Sequence, residues 1–162
     1  MEQLSPSHNA VRSHRVHVQA GFGTDGSLAH RLYDIEGADH TVLLLHGLGS
    51  TGLDWSMQIA ALTRRYRVLT MDFPGHGESQ PVSRGITIRA LSRSVFRTLE
   101  ETGAEPDVIV GHSLGGLAAL QMAVDAPDRF KALVLVNAVP HVSVSRHTAR
   151  QALGRVPDVV LN

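Results

Sequence analysis

The stretch Val108-Ile109-Val110-Gly111-His112-Ser113-Leu114-Gly115-Gly116 constrains the fold of this chain more than any other. Its apolar start predicts a short buried strand. Leu114, Leu117, Ala118, Leu120 and Met122, with the small Gly115, Gly116 and Ala119, predict a buried helix that begins at the serine. A strand that turns directly into a helix at Ser113 strains the serine backbone. Flanking glycines are then required, because a Cβ on either side would collide with the neighbouring strand and helix. Such a turn pushes the Ser113 hydroxyl out to where a small molecule can reach it. By itself the five-residue Gly-X-Ser-X-Gly pattern also arises by chance, with Gly115 and Gly116 serving only close helix packing.

Two further segments shift that balance. Val42 to Leu45 reads as a second buried strand running into His46-Gly47-Leu48-Gly49. Val68 to Asp72 runs into Phe73-Pro74-Gly75-His76-Gly77-Glu78-Ser79, a tight loop punctuated by Pro and Gly. With an "HG" loop, a "D-x-P-G-x-G-x-S" loop and a "G-H-S-x-G-G" turn in this order, the chain resembles the α/β-hydrolase family, in its esterase, lipase and C–C-bond hydrolase branch. The resemblance runs from roughly Arg15 to Pro140 and covers the first part of that family's catalytic domain. It implies an α/β fold, a mostly parallel sheet flanked by helices, with Ser113 as nucleophile on a sharp elbow. It also implies an oxyanion hole made by the backbone N–H groups of Leu48 and Leu114, the latter at the positive end of the elbow helix. The reaction implied is hydrolysis of an ester or a related acyl or C–C bond through an acyl-enzyme. Serine in place of aspartate at position 113 argues against the dehalogenase and epoxide-hydrolase branches. Acyltransferases and cofactor-free haloperoxidases share the same elbow and stay open.

Along the chain, Val16 to Ala20 and Leu28 to Ile35 read as two strands whose connection contains the Asp25-Gly26 turn signal, forming an antiparallel edge. Thr41 to Leu45, a helix from Asp54 to Arg64 with Trp55, Ile59 and Leu62 on one side, and Arg67 to Met71 make a parallel βαβ unit. Ile88, Leu91, Val95 and Leu99 recur at spacings of three and four, predicting an amphipathic helix from Thr87 to Thr102 that Thr87 caps and Gly103 stops. After the elbow helix and a turn at Pro127, Ala132 to Val136 is another buried parallel strand. Residues 1–14 read as a flexible N-terminal tail and 15–140 as the hydrolase core. Residues 141–162 read as the start of a lid or a loose C-terminal tail, with a weak helical pattern from Ser145 to Leu153.

A serine hydroxyl is a weak nucleophile and needs a histidine to take its proton and a carboxylate to orient that histidine. In the family these follow in the order serine, acid, histidine. After Ser113 the carboxylates are Asp125, Asp128 and Asp158, and the histidines are His141 and His147. None matches a family triad position. Asp125 and Asp128 flank Pro127 and read as capping and turn residues. His141 is the candidate base, lying just beyond the carboxyl end of a parallel strand, where sites form in such sheets. His46, His76 and His112 fall in family loops and read as loop supports. Gly47 belongs to the same support. Asp72 is expected to brace the Pro74–Ser79 loop by hydrogen bonds. Trp55 reads as a border of the pocket or as a packing residue. The expectation is a catalytic domain that stops after the strand following the elbow helix, with little or no turnover as 162 residues. That strand, Ala132 to Val136, would then present an unpaired apolar edge inviting a second copy or a complementing chain.

Two other readings compete. Gly47, Gly49 and Gly52 form a G-x-G-x-x-G between strand and helix, and Asp72 ends the next strand twenty residues on, as in a dinucleotide-binding Rossmann unit. That scheme gives His46 and the Pro74–Ser79 loop no role. The third reading is a catalytically inactive hydrolase scaffold kept for binding. The 15 basic and 15 acidic residues balance, so nothing favours nucleic acid or an anionic membrane as partner. The expected partner is a small, neutral or apolar, ester-like substrate, with no cofactor and no metal. No cysteine is present, so the fold uses neither disulfide nor thiol chemistry. The polar start of the chain lacks the apolar core of a signal peptide, and a cytoplasmic location is expected.

Overall fold

The computed structural model describes residues 15–23, 26–82, 85–138 and 158–161. In chain order the strands are Val16–Gly21 (β1), His30–Ile35 (β2), Thr41–Leu45 (β3), Arg67–Met71 (β4), Val108–His112 (β5), Ala132–Val136 (β6) and Asp158–Leu161 (β7). The helices are Ser56–Leu62 (α1), Ile88–Thr102 (α2) and Leu114–Asp125 (α3). The strands form one sheet in the order β1-β2-β4-β3-β5-β6-β7. β1 and β2 are antiparallel, as are β2 and β4, and every later pairing is parallel. This is the α/β-hydrolase architecture that the resemblance implies.

Alternation along the strands sorts the core into two layers. Leu43, Leu45, Leu69, Met71, Ile109 and Leu133 pack with Leu91, Val95 and Leu99 of α2 and with Ala118, Ala119 and Met122 of α3. Val42, Leu44 and Val68 pack on the other side with Ile59 of α1, joined by Trp55 and Leu62. β3, β4 and β5 therefore bear side chains buried on both faces, which is why they read as unbroken apolar runs.

Local chemistry sets the boundaries. Thr87 caps α2, its hydroxyl accepting the Ala90 N–H at 3.1 Å, and Gly103 ends it in the left-handed region at φ 64°. The segment expected as one helix from Asp54 to Arg64 divides into a 3-10 turn, Gly52–Trp55, followed by the shorter α1. The Thr51 hydroxyl accepts the Leu53 N–H at 3.2 Å and its carbonyl accepts the Asp54 N–H at 3.1 Å, a spacing of three that tightens the first turn. β2 starts two residues later than expected because the Leu28 and Ala29 N–H groups donate to side chains. Their acceptors are Thr98 Oγ1 and Ser79 Oγ, each at 2.8 Å.

One expectation fails. The edge of β6 is not bare: β7 pairs with it in parallel, Ala132 opposite Asp158 through Leu135 opposite Leu161. The run Asp158-Val159-Val160-Leu161 is a four-residue strand directly after Pro157, too short to announce itself by periodicity. The outer edge on that side belongs to β7. Thr24 and Asp25 of the first turn, the helical pattern from Ser145 to Leu153, and His141 and His147 lie outside the described residues.

At the strand starts Asp107 ties three elements together. Its carboxylate accepts the Thr41 N–H at 3.0 Å and pairs with Lys131 Nζ at 2.6 Å and His40 Nδ1 at 3.3 Å. Burial opposes its charge, but the hydrogen bonds from Lys131 and Thr41 win and hold the carboxyl below the usual range. A hollow of about 420 Å³ opens beside it over Val42, Val108, Val110 and Val134. It lies at the end of the sheet away from the loops described next, opposite the end where parallel sheets place their sites.

Candidate active site

β3 and β5 are neighbours, but the chain leaves β3 toward β4 and later returns past it to β5. The crevice beyond their carboxyl ends is therefore a switch point, where α/β sheets bind ligands. His46 and Gly47 leave β3 here, and Ser113 leaves β5.

Ser113 has φ 50° and ψ −111°, the conformation of the first central residue of a type II′ turn, normally taken by glycine. Hydrogen bonds lock it there. Its N–H donates to Val136 O at 2.9 Å, and its carbonyl accepts the Leu117 N–H at 3.1 Å, starting α3. The flanking glycines are needed for the reason the sequence indicates. A Cβ on Gly111 would lie 2.5 Å from Gly115 O and 2.6 Å from Gly116 Cα, and one on Gly115 would lie 2.6 Å from His46 O. Strand, elbow and helix touch backbone to backbone. The first N–H groups of α3, Leu114 among them, have no intrahelical acceptor and carry the positive end of the helix dipole.

The loop after β3 folds over the elbow. A Cβ on Gly47 would sit 3.4 Å from Ser113 Cβ and 2.8 Å from His112 Nδ1, so glycine lets the loop close on both. Next along it, Leu48 is 76% exposed.

His46 is buried, and both its ring nitrogens are committed. Phe73 N–H donates to Nε2 at 2.8 Å, so Nε2 carries no proton, and Nδ1–H donates to Gly47 O at 2.7 Å. The ring is a neutral strut. Burial lowers its pKa below the ordinary histidine value of 6.5, a shift only partly opposed by the Gly47 hydrogen bond. His46 is thus a loop support, with no nitrogen free for proton transfer. Asp72 is a brace as well: Oδ1 accepts the Gly52 N–H at 2.7 Å and Oδ2 accepts the Glu78 N–H at 3.0 Å. A Cβ on Gly77 would overlap this carboxylate. Asp72 is 2% exposed and turned to the backbone of its own loops, so it is not presented to a ribose hydroxyl, which argues against the dinucleotide reading.

A pocket of about 240 Å³ opens at this end, lined by His46, Gly47, His112, Trp55 and Val136 and by the polar Ser50, Asp54 and Gln58. Trp55 fills both roles weighed for it, since it packs on the Val42–Ile59 layer and borders the pocket. Its buried indole N–H has no acceptor among the described residues. No single helical period signals this polar stripe in the sequence, because Ser50 precedes the 3-10 turn, Asp54 lies in it and Gln58 lies in α1. Among the described residues no side chain hydrogen-bonds the Ser113 hydroxyl, and no three His, Asp or Glu side chains converge as metal ligands. Asp125 accepts from Gln121 at 2.9 Å on the same helix, an i,i+4 pair where a cap or turn bond was expected. Asp158 lies opposite Ala132 in the ladder, at the strand starts.

A family model, described as the alpha/beta hydrolase fold, matches residues 40–161. The chain belongs to the α/β-hydrolase family. Curated relatives include the dihydrolipoyllysine-residue acetyltransferase component of the acetoin cleaving system of Cupriavidus necator, 37% identical over 125 residues, 71% of this chain and 33% of the relative. Another is the RutD protein of Klebsiella pneumoniae, whose name puts it forward as a carbamate hydrolase, 38% identical over 67% of this chain and 41% of the relative. The chain thus spans about a third to two-fifths of the length of these relatives. Among solved structures, a hydrolase from Pseudomonas aeruginosa superposes with a TM-score of 0.69 at 30% identity, covering 80% of this chain and 49% of that one. An esterase from M. tuberculosis does so with 0.66 at 30% identity, covering 86% and 46%. This α/β-hydrolase falls in the hydrolase and esterase-like branch. Among its described residues no helix is long and apolar enough to cross a membrane.

Proposed function

We propose that this α/β-hydrolase carries the nucleophile and oxyanion hole of a serine hydrolase acting on a small ester or a related acyl or C–C bond. The observation that carries the reading is the Ser113 backbone, held in a glycine-type conformation at the carboxyl end of β5 with the Gly47 loop closed over it. Strain of this kind persists only where the surrounding structure enforces it, and it concentrates at reacting groups.

In the proposed reaction Ser113 Oγ attacks the carbonyl carbon and forms the Oγ–C bond as its proton passes to a base. The carbonyl electron pair moves to oxygen, and the N–H groups of Leu48 and Leu114 stabilise that oxyanion. A single such donor is worth about 3–4 kcal/mol in the transition state. Collapse of the intermediate expels the leaving group, which takes up the proton, and water then releases the acyl group from Ser113. His46 and Asp72 hold the loops and transfer no proton. Among the described residues no side chain at Ser113 supplies the base or its orienting acid, so with those residues alone acylation is expected to be slow and turnover little.

The pocket of about 240 Å³ at this end, lined by the neighbouring His112 and Gly47 but not by Ser113 itself, suits a small substituent. Names attached to the relatives span acetyl transfer and carbamate hydrolysis, both acyl chemistry. Intact-mass measurement after exposure to p-nitrophenyl acetate tests the proposal. One retained acetyl group, absent from Ser113→Ala, is expected. A folded chain that takes up no acetyl at Ser113 overturns the proposal, and sustained turnover at ordinary enzyme rates would direct attention to His141 as base.

A further inference from the structure

Leu48 N–H is useful as an oxyanion donor only if it points at the reacting carbonyl, and two peptide planes decide that. The plane before Leu48 Cα holds Gly47 C=O and Leu48 N–H, which point in opposite directions because the bond is trans. His46 Nδ1–H binds that carbonyl at 2.7 Å and so aims Leu48 N–H the other way. The plane after Leu48 Cα holds Leu48 C=O and Gly49 N–H, and Gly49 N–H donates to His76 Nε2 at 3.0 Å. Since that nitrogen accepts, the His76 proton is on Nδ1, which donates to Pro74 O at 3.1 Å. The His46 and His76 rings lie 5.2 Å apart, so the two imidazoles stand side by side between the loops.

Resting on the serine-hydrolase reading, we propose that His76 is a positioning residue of the oxyanion hole, its Nε2 holding the Gly49 peptide so that the chain beyond Leu48 cannot swing away the N–H that His46 aims. His46 holds the Gly47–Leu48 plane by a single hydrogen bond and does not restrain the peptide that follows, which His76 does. Leu48 is exposed and Gly49 sits at φ 73° with nothing within 4 Å of where a Cβ would be, so packing does not hold this stretch. Ser50 Oγ bonds only Asp54 and Thr51 of the same segment, and the next tie to another loop is Gly52 N–H on Asp72, three residues further on. His76 is the acceptor that closes the gap, at a position that the D-x-P-G-x-G-x-S pattern leaves unspecified.

The test compares His76→Leu, which removes the acceptor, with His76→Gln, whose amide oxygen can replace it. Two quantities are read: hydrogen exchange of the Leu48 and Gly49 amides, and the rate at which a fluorophosphonate labels Ser113. In His76→Leu, Gly49 exchange should rise about tenfold and labelling should slow by a similar factor, while the core amides of Leu44 and Ile109 keep their protection. His76→Gln should restore both to within about threefold of the parent. Unchanged Gly49 exchange in His76→Leu, unchanged labelling despite faster exchange, or equal losses in both variants would each overturn the proposal. A parent chain that is not labelled at Ser113 would instead remove the serine-hydrolase reading, and the positioning role with it.

Discussion

Ser113→Gly should make this protein more stable while removing its proposed nucleophile. At φ 50° and ψ −111° Ser113 occupies a region that an L-residue avoids, at a cost of about 1–3 kcal/mol. Glycine adopts it freely and recovers that strain. Against this stands the greater freedom of a glycine in the unfolded chain, about 0.4–1 kcal/mol. The net expected gain is roughly 1 kcal/mol, or about 2–4 °C in Tm for a chain of this size. Ser113→Ala is the reference, because alanine loses the hydroxyl but keeps the Cβ and the strain. Both variants are compared by urea denaturation and by thermal unfolding at one pH. If Ser113→Gly is no more stable than Ser113→Ala, the elbow stores no strain at Ser113, and the argument from backbone conformation to a reacting group loses its basis.

Three further perturbations follow from the same geometry. Gly115→Ala drives a methyl group into the backbone of β3 and should cost about 3 kcal/mol or more by denaturant unfolding, whereas Gly85→Ala, with open space around it, should stay within about 0.5 kcal/mol. Asp72→Asn replaces one accepting oxygen by an NH₂ group facing either Gly52 N–H or Glu78 N–H, and should destabilise by about 1.5–3 kcal/mol in the same assay. Burial depresses the pKa of His46 in the folded protein, so the unfolded chain takes up its proton first on acidification. The stability from keeping His46 neutral is complete above about pH 6.5 and declines as the pH falls toward the folded pKa, at up to about 1.4 kcal/mol per pH unit. His46→Gln should flatten the urea midpoint between pH 7.5 and 5.5 relative to the parent, and equal slopes would contradict this.

What the sequence disclosed and what it hid divide by the range of the interactions involved. α2 was legible because apolar spacing, the Thr87 cap and the Gly103 stop are all local and agree with one another. The elbow was legible because a strand, a serine between glycines and a helix follow without a gap, and each glycine answers to a backbone contact. The 3-10 turn before α1 was not, since its start depends on Gly52 N–H reaching Asp72, twenty residues away. β7 was hidden by its four-residue length, and its partner β6 explains its presence better than its own pattern does. The sequence marks His46, His76 and Asp72 as loop supports, but their partners and tautomers depend on contacts between the β3 and β4 loops that no local pattern encodes.

The most direct measurement is peptide-level mass mapping of the folded chain after reaction with a fluorophosphonate, alongside Ser113→Ala. The expected result is a single adduct on the peptide containing Ser113, slow to form and absent from the variant. A folded parent with no adduct on Ser113, or labelling that persists in Ser113→Ala, would contradict the assignment of Ser113 as the nucleophile.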